Sequence, residues 1–177
     1  MPVDFEQIYS LFDDVTPLAI DCGQICKAAC CRGGPEMGML LFPGEQAFLS
    51  GRWPDTAFHK TRQGDVLFVC GGSCDRCDRP LSCRIFPLFP FYGRDGRIRA
   101  GRDPRAFPLC PLARFPRQIP LRRDFVRRVR RAGRLLAADS ACRRFLQEQT
   151  LKLEEFVRLL PESGGRSPIQ RRKVEVK

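Results

Sequence analysis

Nine of the ten cysteines in this 177-residue chain fall between residues 22 and 110, and their spacing limits what the chain can become. The first group is Cys22, Cys26, Cys30 and Cys31; the second is Cys70, Cys74, Cys77 and Cys83. Cys110 follows alone, between Pro108 and Pro111. Thiolates are soft donors, and gaps of two or three residues let one turn of chain aim two sulfurs at one ion. All nine are therefore candidate metal ligands. A helix over 22–30 would place Cys22, Cys26 and Cys30 on one face, four residues apart. The Gly33-Gly34-Pro35 stop would fray it at the Cys30–Cys31 pair and free both sulfurs to turn inward.

An even number of cysteines also suits a disulfide framework. Against it, the opening Met-Pro-Val-Asp-Phe-Glu is acidic and lacks the basic and apolar regions of an export signal. A cytoplasmic, reducing setting is expected, where clustered cysteines ligate metals more often than they pair. His59, the one histidine, lies far from every cysteine and reads as a surface residue, which rules out a two-cysteine, two-histidine finger. All-thiolate zinc and an iron–sulfur cluster both stay open. Cys70, Cys74 and Cys77 have the C-x3-C-x2-C spacing that holds the cluster in radical SAM enzymes. About a hundred residues follow, too few and too helical for the barrel such an enzyme needs, so the spacing favours a cluster without that enzyme class.

The charge is lopsided. Residues 84–134 hold fifteen arginines, no lysine and three acids, a net +12 against +11 for the whole chain. Such a segment suits nucleic acid or an acidic partner, through 122–134 above all. Two plainer accounts compete: arginine usage of a GC-rich genome (26 arginines against five lysines), and offset of thiolate charge by nearby Arg32, Arg79 and Arg84. No stretch approaches the roughly 18 apolar residues of a membrane span. No Gly-rich phosphate loop and no nucleophile–base pair is found, so no catalytic residue is assigned.

Taken in order, Asp4 and Gln7 form a capping-box arrangement for an N-terminal helix, with Phe5, Ile8, Phe12 and Val15 on one stripe and Pro17 ending it. A strand is expected over 37–42, where Met37 and Met39 read as core rather than thioether ligands. One or two helical turns follow at 45–50. Residues 56–60 and 65–70 read as a hairpin leading into Cys70, and 89–92 with 98–100 as another. Pro80 and Pro87 hold Cys83 at a nearly fixed angle. Residues 103–111 read as a proline-locked loop. From 121 the pattern turns helical: Phe125, Val129, Ala132 and Leu136 stripe one helix, and Cys142, Phe145, Leu146, Leu153, Phe156, Val157 and Leu160 the next, after a cap at Asp139 or Ser140. Cys142 on that stripe reads as a buried thiol.

Two blocks resemble the bacterial YkgJ-like cysteine-cluster family, described as zinc- or iron-chelating. Cys22, Cys26, Cys30 and Cys31 match its cysteines leading to a Cys-Cys pair; Arg79, Pro80, Cys83, Arg84 and Pro87 match its Arg-Pro-x-x-Cys-Arg-x-x-Pro motif. Gly-Met-x-Leu-Phe-Pro-Gly-Glu at 38–45 and Asp-Pro-Arg-Ala-Phe-Pro-x-Cys-Pro at 103–111 look like a longer variant of the same family. The first gaps are longer here, and Cys77 is additional. The resemblance implies metal chelation; one relative, a flagellin lysine methylase, extends that to modification of protein. Arg79 and Arg84 then read as partners that orient and screen the thiolates, in preference to anion binders.

The expected fold is a small, irregular, cysteine-rich α+β metal-binding domain. It has short β-hairpins, an N-terminal helix (1–18), a cysteine-rich core (20–112) and a basic C-terminal helical hairpin (121–160), with a disordered tail at 161–177. The expected function is metal binding, of zinc or an iron–sulfur cluster. The alternatives are an iron–sulfur redox or protein-modifying component, and an arginine-rich nucleic-acid-binding zinc module.

Overall fold

The computed structural model describes residues 2–32, 38–72 and 74–159. It is a small α+β domain. The first helix, α1, spans Phe5–Ser10, and the Asp4 carboxylate accepts from Gln7 N–H at 2.9 Å as its cap. The helix stops well short of Pro17, unlike the expected 1–18 element. Phe12 and Val15 are still fully buried, delivered from the turn that follows, so the apolar stripe outlasts the helix that suggested it.

Helix α2 is a single turn, Gly23–Cys26. Strand β1 is two residues, Met39–Leu40, and Met37 lies outside the described residues. Helix α3 covers Glu45–Leu49. Strands β2 (Phe58–Lys60) and β3 (Val66–Phe68) pair antiparallel as the expected hairpin, with His59 exposed, and β1 adds to the other edge of β3 to give the order β1-β3-β2. Helix α4 is Leu81–Ile85. Strands β4 (Leu88–Tyr92) and β5 (Ile98–Arg102) form the second hairpin. The expected loop at 103–111 is more regular: Asp103 caps a 3-10 turn at Pro104–Ala106, and α5 begins at Pro111 and ends at Arg114. Proline suits both helix starts because its missing N–H has no partner to lose there.

Helices α6 (Arg123–Ala138) and α7 (Ser140–Leu159) form the C-terminal hairpin. Asp139 alone joins them, its carboxylate accepting from Ala141 and Cys142 N–H, both at 2.9 Å. Both helices pack on β4–β5. Gly133 makes that approach possible: a Cβ there would stand 2.5 Å from Pro90 and 2.7 Å from Ile98. Tyr92 N–H donates to Thr150 at 2.9 Å, tying β4 to α7. The α7 stripe is buried through Leu153, but Phe156 and Leu159 are exposed, and Leu160 and 161–177 lie outside the described residues. One hydrophobic cluster runs from Phe5 to Leu153; a smaller one gathers Ala106, Cys110, Leu112 and Ala113. Among the described residues no helix is long and apolar enough to cross a membrane.

Candidate metal centre

The first cysteine group does not ride one helix. After α2 the chain turns left-handed at two successive non-glycine residues, Lys27 (φ 52°) and Ala28 (φ 54°), and then forms a 3-10 turn over Ala29–Cys31. The expected single face for Cys22, Cys26 and Cys30 is corrected accordingly. Each such residue costs roughly 1–2 kcal/mol, so local contacts must hold the reversal. Ala28 N–H reaches back to Gly23 O at 2.9 Å. The Arg32 guanidinium takes the freed carbonyls, with Nε to Lys27 O at 2.9 Å and Nη2 to Cys26 O at 3.1 Å. The reversal brings Cys30 back beside Cys26, with 4.0 Å between the Cys30 and Cys31 sulfurs.

The second group arrives from three directions. Cys70 leaves the sheet just after β3 and packs partly against the main core. The loop beyond it crosses Cys31 so closely that a Cβ on Gly72 (φ 86°) would lie 2.9 Å from the Cys31 carbonyl oxygen. Cys74 follows, and Cys77 sits exposed on a 3-10 turn over Arg76–Asp78. Cys83 lies in α4, whose start is fixed from below: the fully buried Glu45 carboxylate accepts from Leu81 N–H at 2.6 Å, Tyr9 O–H at 2.5 Å and Phe42 N–H at 2.8 Å. Burial pushes the Glu45 pKa up against those bonds. Cys110, at the start of α5, packs in the small cluster with Cys22 against it.

The electrostatics sort these thiols into two groups. Burial pushes Cys22 up, and the charges of Asp21, Cys110 and Cys26 add to it. Burial likewise raises Cys110, with Cys26 contributing and Arg102 opposing. The Cys30 thiol, on an otherwise exposed residue, is pushed up to about 12 by enclosure, then by Cys31, Cys26 and Cys22. On the other side, Cys83 is raised well above its ordinary value by burial, then by Cys74, Cys70 and Cys31. Cys74 is raised by burial and by Cys70 and Cys31, against the pull of Arg79. Cys22, Cys26 and Cys110 thus form one neighbourhood and Cys31, Cys70, Cys74 and Cys83 another, with Cys30, beside both Cys31 and Cys26, joining them. Cys77 and the fully buried Cys142, the latter as expected, belong to neither.

The three arginines read from sequence as one kind have three different jobs. Arg32 ties down carbonyls. Arg84, 7 % exposed, points away from the sulfurs: it donates to Arg79 O, Cys77 O and the Asp13 carboxylate and stacks on the Tyr9 ring at 4.5 Å. Only Arg79 faces the thiols. Burial works against its charge, yet a hydrogen bond and the charge of Cys74, with those of Cys31 and Cys83, hold its pKa above the ordinary value. Its Nε is buried without an acceptor among the described residues. A buried unpartnered donor is costly, and an anionic sulfur beside it would satisfy it.

These residues fit a thiolate-bound metal in donor type and in the orphaned Arg79 donor beside them. All ten cysteines are free thiols. Among the described residues no three Cys, His, Asp or Glu side chains stand close enough to hold one ion. Sequence reasoning missed this arrangement, because it depends on proximity between segments far apart in the chain, as Cys31 is from Cys74 and Cys26 from Cys110. It also missed Glu45, whose only signal was its place at the end of the 38–45 motif. Comparison with known proteins finds no family model, no curated protein and no solved structure that matches the chain.

Proposed function

We propose that this chain is a metal-binding protein that takes zinc or an iron–sulfur cluster through clustered thiolates. Cys22, Cys26, Cys30 and Cys110 would hold one group and Cys31, Cys70, Cys74 and Cys83 the other. The observation that carries this is the convergence of separate chain segments that brings the free thiols of Cys31, Cys74 and Cys83 to Arg79, whose Nε is buried without an acceptor among the described residues. The resemblance to the YkgJ-like cysteine-cluster family agrees with it. Four thiolates close the coordination of zinc and make it structural, whereas the same set around an iron–sulfur cluster supplies electron transfer. The protein's own contribution is to hold the sulfurs in fours, to keep Arg79 against them and to anchor Cys83 through Glu45.

The test is elemental analysis, acid-labile sulfide and a visible spectrum on protein purified without air. Colourless protein with two zinc ions per chain is expected of a structural module. A brown sample with iron and sulfide would make redox chemistry, or modification of a protein substrate, the function of the same site. Cys74→Ser should lower the metal content and Cys77→Ser should not. Metal-free protein with ten titratable thiols overturns the proposal.

A further inference from the structure

Helix α6 presents its arginines in an order that metal binding does not use. Phe125, Val129, Ala132, Gly133 and Leu136 are buried beneath it. On the opposite side Arg123, Arg127, Arg130, Arg131 and Arg134 are all exposed. At roughly 100° per residue these five fall within an arc of about 100°. At about 1.5 Å rise per residue they extend along some 16 Å of helix. None of them forms an ion pair among the described residues. The two arginines of this segment off the arc are engaged: Arg122 with Asp124 and Arg128 with Asp14.

Arginine-rich composition alone would not sort the residues this way. The exposed surface of α7, from the same chain, alternates Arg143 and Arg144 with Glu148, Lys152, Glu155 and Arg158. On α6 the arc carries neither an acid nor a lysine. A bare row of guanidiniums is held together against its own repulsion, which a polyanion relieves.

We infer that this face of α6 binds the phosphate backbone of nucleic acid, with little preference for sequence. Guanidinium forks match phosphate bidentately, which favours arginine over lysine. Over the same 16 Å or so, one strand of duplex carries about five phosphates, one for each arginine. The arc offers no Asn or Gln to read base edges, so contacts position and do not specify. A membrane surface fits less well, because an interfacial helix buries an apolar face in lipid and the apolar face of α6 is already buried in the protein.

The test is fluorescence anisotropy of the full chain, metal content unaltered, with a labelled duplex of about 20 base pairs across a salt series. Five phosphate contacts give a slope of log K on log salt of about −4.5, or an affinity loss of about 500-fold between roughly 50 and 200 mM salt. Arg127→Gln with Arg131→Gln should cut the slope by about two, leaving a loss of about 40-fold over the same range. Arg143→Gln with Arg144→Gln on α7 should change neither. Circular dichroism melting of the exposed-face variants, expected to match the parent, separates lost contacts from lost fold. The inference is overturned if the duplex does not bind at the lowest salt, or if the α6 variants keep the parent slope. It is equally overturned if polyglutamate or phosphatidylserine vesicles bind as tightly as the duplex, which would assign the arc to an acidic protein or to lipid.

Discussion

The two halves of this molecule are built on different physical grounds. In the C-terminal hairpin, α6 and α7 run for 16 and 20 residues and bury apolar stripes, that of α7 as far as Leu153, over β4–β5. Burial there, at about 25 cal/mol per Å² of apolar surface, is enough to account for order. In the cysteine half, α2 has four residues, the turn after it three, and neither buries a single residue. Its backbone is left-handed where a helix would be cheaper, and its polar tips are held by Arg32 and Arg79. A packed half needs only its own side chains, whereas on the proposed function the turns of the cysteine half would draw stability from ligation.

The sharpest way to break that comparison is to remove a ligand. Cys83→Ser, or metal removal with a chelator, is expected to abolish amide protection over 22–32 and 70–79 while α6, α7 and β4–β5 stay protected. Hydrogen exchange read by mass spectrometry gives the answer directly. Structural zinc contributes on the order of 10–16 kcal/mol, so the effect should be all or none in the cysteine half. Protection lost evenly along the chain would show that the halves are one cooperative unit.

The next largest effect should come from the joint between them. Glu45→Ala leaves Tyr9 O–H and Phe42 N–H buried without an acceptor, each costing roughly 1–3 kcal/mol, and Leu81 N–H with only the Tyr9 hydroxyl oxygen at 3.1 Å. A loss of about 3 kcal/mol or more in urea unfolding is expected, together with lower metal occupancy, since Leu81 opens the helix that carries Cys83. A loss below about 1 kcal/mol would mean that the carboxylate is not what anchors α4.

The smallest change tests the packed half alone. Gly133→Ala pushes a methyl against Pro90 and Ile98 and should cost about 1–3 kcal/mol by overpacking, seen as a lower melting temperature. Metal content should not move. If it does, the two halves communicate through β4–β5.

What the sequence made legible follows the same division. Asp4 with Gln7, the hairpin at 58–68, the β4–β5 pair and both long helices came out as expected, apart from the exposed Phe156 of the α7 stripe, because cap, turn and stripe are written within a few neighbouring residues. Cys142 and His59 were placed correctly for the same reason. Where the structure departs, the cause is contact at a distance. Lys27 and Ala28 adopt left-handed conformations that neither residue type prefers, held there by Arg32. Arg84 looked like a partner of the sulfurs because it adjoins Cys83, but its long side chain reaches back to Asp13 and Tyr9. Glu45 carries every sign of a surface residue and is fully buried.

One peptide bond, between Cys30 and Cys31, links the two neighbourhoods. Consecutive Cα atoms are fixed about 3.8 Å apart, so any displacement that tightens one group is handed directly to the other. Filling of the first group would order the turn the second also needs, and the second ion would then meet less entropic resistance. Under the proposed function, occupancy would then be cooperative, with chains holding two ions or none.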